Sequence, residues 1–93
     1  MHPDKAPNFK DKAVLFYLAN SEYDTTIHNP TFELQNGKLF VTGRIVEGSS
    51  QNGWLSGLAV SLMWDQIQGY VIFESDEDYI SRLALAFKKG KLQ

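Results

Sequence analysis

Four groups of side chains in this 93-residue chain are of types that can do chemistry. The densest is the acidic run Glu74, Asp76, Glu77 and Asp78. A calcium or magnesium site needs several oxygens converging from a folded loop. This run lacks the spacing and the glycine of an EF-hand, and it reads instead as the charged start of a helix. His28 is the only histidine beyond the first twelve residues, with Asp24 four positions before it and Glu33 five after. Acid–base work needs a pocket and a partner. Neither can be read from the spacing, so His28 is expected to be an ordinary strand or turn residue. Ser49, Ser50 and Ser56 lie in or near the segment EGSSQNG, which has no G-x-S-x-G elbow and no phosphate-loop lysine. It is expected to be a flexible loop. The aromatic residues Tyr17, Tyr23, Phe40, Trp54, Trp64 and Tyr70 could stack on nucleic-acid bases, but in a small domain most are expected to supply the core. No residue is assigned as catalytic, cofactor-binding or metal-ligating, and the chain is not expected to be an enzyme.

Composition narrows the classes further. With no cysteine there is no disulfide framework, thiol nucleophile or thiolate metal site, which suits a cytoplasmic protein. The first residues lack the apolar stretch of a signal peptide, and no run approaches the ~18 apolar residues of a membrane span. The net charge of −2 is unevenly spread. Lys38, Arg44 and Arg82 are the only cations between residues 13 and 87, against nine acids, while Lys88, Lys89 and Lys91 crowd the C-terminus. An acidic body repels phosphate, so nucleic acid is not expected to be the ligand.

The segment Thr31 to Glu47 is expected to organise the fold. Asn36-Gly37 sits between two alternating runs, the signal of a two-residue hairpin turn. That turn sets Leu34 opposite Leu39, Phe32 opposite Val41 and Glu33 opposite Phe40. One face then carries Phe32, Leu34, Leu39, Val41, Gly43 and Ile45 toward the core. Phe40 falls on the polar face, and Gly43 in mid-strand predicts a bulge, a bend or a close backbone approach.

Around the hairpin, residues 1–12 are expected to form a mobile arm and residues 13–90 a single domain. Ala13 to Ala19 has the length of a buried strand, apolar on both faces and a candidate sheet edge, although its Ala and Leu would also suit a short helix and periodicity does not decide between them. Tyr23 to His28 is expected to pair with it and to end at Asn29-Pro30. Trp54 to Trp64 reads as a strand with Leu58, Val60, Leu62 and Trp64 inward. Asp65 to Gly69 reads as a turn and Tyr70 to Phe73 as another strand. A helix is predicted over about 76–89, with Ser75 as N-cap and a core stripe of Ile80, Leu83, Ala84 and Phe87. The predicted fold class is α+β, mainly β: a bent antiparallel sheet or half-closed small barrel of five or six strands with one C-terminal helix. This resembles small SH3-like barrels in architecture, which implies no activity.

The expected function is therefore a non-catalytic interaction module that self-associates, as a homodimer, with Phe40, Trp54 and Leu85 as candidate contacts. The alternative is a small-ligand-binding domain with a pocket between sheet and helix. No cofactor and no membrane partner is expected.

Overall fold

A computed structural model describes residues 7–19, 24–47 and 55–90, with the side chains of 87–90 excepted. Five strands form one antiparallel sheet: β1 (Ala13–Leu18), β2 (Asp24–Gln35), β3 (Lys38–Ile45), β4 (Ala59–Met63) and β5 (Ile67–Phe73). Their spatial order is β4-β3-β2-β1-β5. A single-turn 3-10 helix, Trp64–Gln66, leads into β5, and helix α1 (Asp76–Gly90) follows. β4 and β5 are the two edges, so the sheet is bent rather than closed.

The turn and register of the hairpin form as the sequence predicts, but the expected burial of Leu34 does not occur. Asn36 and Gly37 take φ of 53° and 77°, the two positive values a type I′ turn requires. The pairs Gln35–Lys38, Leu34–Leu39, Glu33–Phe40, Phe32–Val41 and Thr31–Thr42 all occur. Val41 is fully buried, whereas Leu34, near the hairpin tip, is 61% exposed because the core ends before it.

Asn29-Pro30 does not end a strand. β2 runs straight through it as a bulge, since the β2–β3 register slips between His28 and Thr31. Asn29 carries the positive φ of 48° that the bulge needs, and Pro30 has no amide to leave unpaired. The bulge is held from outside: the Asn29 N–H donates to the Lys12 carbonyl (2.7 Å), and Asn29 Oδ1 accepts the Asp11 N–H (2.8 Å). Gly43 faces this corner. A Cβ there would lie 2.4 Å from Cγ2 of buried Ile27 and 3.1 Å from the His28 carbonyl. Only glycine lets β3 approach so closely.

The N-terminal segment is correspondingly more than an arm. Phe9 is 2% exposed and, with Phe16, is among the largest fully buried side chains of the described residues. Its ring meets Phe16 edge-on at 5.7 Å, Phe32 at 5.8 Å and Tyr70 at 5.2 Å. Phe9 and Phe16 form the inner core with Val14, Ile27 and Val41, to which Phe32, Val60, Leu62, Trp64 and Ile67 add partial cover. Residues 1–6 lie outside the described residues.

Three further expectations need correction. Ala13 to Ala19 is not an edge: β1 lies between β2 and β5 and hides Ala13, Val14 and Phe16 within its own chain. The strand expected from Trp54 begins only at Ala59, after a turn in which Gly57 takes φ of 77°; Leu58 is exposed. The turn expected over Asp65 to Gly69 is compressed into Trp64–Gln66, so β5 starts three residues early.

Helix α1 is capped as predicted, with the Asp78 N–H donating to Ser75 Oγ (3.0 Å). Its buried face is rotated from the expected stripe. Tyr79 is buried and Leu83 partly buried against Ala13, Val46 and Phe73, while Ile80 and Ala84 are exposed. The helix therefore covers one end of the outer sheet face, and its Phe87 side chain lies outside the described residues.

Candidate functional site

Two places in the fold gather features that an ordinary stable domain does not require. The first is the β5 edge. Strand alternation puts Tyr70 and Ile72 on the inner face, beside Phe16 and Val14, and Val71 on the outer face, beside Leu15. In an interior strand one of these faces would be hidden. Here Tyr70, Val71 and Ile72 are 40%, 42% and 46% exposed. The cause is position: β5 pairs only with β1, and α1 covers the sheet at Phe73 but not at Val71. Tyr17, two residues along β1 from Leu15, extends the exposed apolar surface. No residue of β5 carries a charge, and none is proline.

The second place is a cleft of about 560 Å³ between the sheet and the first turns of α1. His28 and Arg44, a cross-strand pair, stand on one wall, and Asp76, Glu77 and Ile80 on the other. His28 Nδ1 lies 2.9 Å from Asp76 Oδ2. The Arg44 Nη1 donates to the Gly57 carbonyl (2.9 Å). His28 thus has both a partner and a cleft, contrary to the sequence-based expectation. Its carboxylate is 48 residues away, and neither Asp24 nor Glu33 supplies it. The acidic run that marks the helix start offered the signal, because sheet residues at that end must meet it if the helix docks there.

The rest of the acidic run serves the helix. Asp78 Oδ2 accepts the Glu74 N–H (3.1 Å), and its Oδ1 accepts the Arg82 Nε–H (2.9 Å). These bonds, the backbone one foremost, hold the Asp78 carboxyl below its ordinary pKa. Glu74 pairs with Lys12 at 2.7 Å. Among the described residues no group of three or more His, Asp or Glu is placed to hold a metal ion.

Two of the three sequence-based contact residues fall within the described residues. Phe40 is half-buried on the outer face of β3, opposite Glu33 on β2 and Met63 on β4. Leu85 is 57% exposed on α1. Trp54 lies outside the described residues. Of the other aromatic residues, Trp64 packs against Phe32 and the core; Tyr70 touches these rings with one side but is exposed, as is Tyr17, and Tyr23 lies outside the described residues. Ser56 lies in the turn before β4, and Ser49 and Ser50 lie outside the described residues. Sequence reasoning passed over Tyr70–Val71–Ile72 because YVIF has the composition of a buried strand; only the strand order makes it an edge. No helix among the described residues is long and apolar enough to cross a membrane.

No family model, no curated protein and no solved structure matches the chain, so a functional reading has to come from these surfaces.

Proposed function

We propose that the protein is a non-catalytic interaction module that works by protein–protein contact and self-associates. One observation carries this reading: three successive apolar residues, Tyr70, Val71 and Ile72, are exposed on an edge strand with no charge or proline to blunt it. Natural sheets cover, shorten or charge their edges because a bare row of amides recruits another strand. Exposed Tyr17 and Leu85 are further apolar surface a partner can use. The test is molecular mass by light scattering across a dilution series. Self-association predicts a mass above the 10.5 kDa of one chain that falls on dilution. A constant single-chain mass up to high micromolar concentration contradicts it.

A second reading rests on the cleft. Among the described residues the Arg44 guanidinium spends one donor, on the Gly57 carbonyl, and Ile45, Val46 and Ile80 supply apolar wall, a mixture suited to a small ligand. Ligand-observed NMR against a panel of small anions and zwitterions tests it. Binding that is lost in Arg44→Ala favours a ligand-binding domain. Equal signals from both proteins remove the cleft from consideration.

A further inference from the structure

We propose that two copies of the chain pair through β5 in antiparallel fashion about a two-fold axis at Val71, joining their sheets into one. The proposal rests on the interaction-module reading and gives it a partner and a geometry.

The backbone decides which amides are available. The Asn29 N–H bonds to the Lys12 carbonyl, so Lys12 directs its polar backbone groups toward β2. By alternation Val14 and Phe16 do the same, and Ala13, Leu15 and Tyr17 direct theirs toward β5. The bond from the Val46 N–H to the Thr26 carbonyl (3.0 Å) fixes the same phase from the other side. It turns Thr26 toward β3, and hence Ile27, the partner of Val14, toward β1. Across from β1, the residues facing back are Phe73, Val71 and Gly69. Tyr70 and Ile72 are left pointing N–H and C=O away from the sheet.

This phase restricts self-pairing. Residues opposed in an antiparallel ladder must point their backbone groups the same way, so the two-fold axis passes at a residue and never between two. An axis at Val71 opposes Tyr70 to the second copy's Ile72 twice over, an aromatic on a β-branched side chain, and Val71 to itself. An axis at Tyr70 would set Ile72 against Gln68 and Val71 against Gly69, wasting the apolar surface. A second copy supplies the same apolar run in matching backbone phase, and no charge from Ile67 to Phe73 opposes the pairing. With the axis at Val71, Glu74, the first acid beyond, falls opposite Gln68 rather than its own copy and is already paired with Lys12.

The chain contains no cysteine, so a single introduced cysteine can form a disulfide only between copies. Val71 pairs with itself at a non-hydrogen-bonded site, where Cα atoms lie about 4.5 Å apart, within disulfide reach. In that register the two Tyr70 positions are diagonal neighbours, beyond ~7 Å and out of reach. The experiment oxidises Val71→Cys and Tyr70→Cys forms of the full chain under mild conditions. It also measures amide exchange in the unmodified chain at concentrations above and below the midpoint of association. The proposal predicts that V71C closes to a covalent dimer at least about tenfold faster than Y70C. It predicts that the Tyr70 and Ile72 amides slow at least about tenfold on association, while Val71 changes little. A dimer in which both amides exchange as in the monomer overturns strand pairing but leaves self-association standing. Faster closure of Y70C overturns the register. Masses well above two chains point to head-to-tail pairing of β4 with β5 and overturn the two-fold arrangement. A single-chain mass at all concentrations overturns this proposal and the interaction reading together.

Discussion

β4 and β5 are the two edges of one sheet, and both lack charge and proline, yet they are finished differently. β4 has five residues and β5 seven. On β4 the outward positions are Ala59 and Ser61, both small, and half-buried Met63 beside Phe40; Ser61 accepts a bond from the Gln35 side chain (3.4 Å). Val60 and Leu62 turn toward the core beside Gly43 and Val41. β5 instead exposes Tyr70, Val71 and Ile72 in succession. Shortness and small outward residues are devices that blunt an edge without a charge, and β5 has neither, which supports the proposed pairing there.

Each edge rests on its own base, and the base can be broken separately under each. Phe9 props β5 through Tyr70, so Phe9→Ala removes a fully buried ring and is expected to cost about 3–5 kcal/mol. Chemical denaturation measures this, and a cost under about 1 kcal/mol would show that the N-terminal segment is not part of the core. Val41 lies under β4, paired with Leu62. Val41→Asp places an unpaired charge at a fully buried site and is expected to cost roughly 3 kcal/mol or more. Unchanged thermal stability would overturn the assignment of this face to the core. Gly43, opposite Val60, is expected to lose about 1–3 kcal/mol as Gly43→Ala, because the new methyl meets Ile27 and the His28 carbonyl, neither of which can swing away. A neutral result would mean that the β2 corner yields.

A smaller effect concerns the helix that covers β5 at one end only. The Asp78 pKa is lower in the folded chain than in the unfolded one. Its contribution is therefore present above the ordinary carboxylate pKa and is lost as pH falls through the depressed folded value. Asp78→Asn should flatten the acid limb of the stability profile, and an identical limb in both proteins would contradict the assignment.

How far the sequence announces this structure depends on the range of the interaction. The hairpin register, the tightness at Gly43 and the Ser75 cap are set by residues near one another, through φ preference, alternation and capping. Asn29-Pro30 misled because a proline in a strand usually marks its end; the bonds that make it a bulge come from Asp11 and Lys12. Phe9 is not legible in the sequence, because one aromatic among polar residues has no periodicity to reveal it. The edge identity of β5 and the His28–Asp76 pair depend on strand order and helix docking, which no local pattern encodes. Phe40 was singled out for standing among polar neighbours in its own hairpin, but β4 brings Met63 alongside it.

The account stands on the difference between the two edges, and one pair of substitutions tests it most directly. A lysine at an exposed edge position costs a monomer little, within about 0.5 kcal/mol, but placed against a second strand it blocks pairing. The measurement is molecular mass against concentration for Ile72→Lys and Ser61→Lys beside the unmodified chain. The account predicts that Ile72→Lys stays at the single-chain mass, while Ser61→Lys associates as the unmodified chain does. Loss of association in Ser61→Lys with Ile72→Lys unaffected would contradict it.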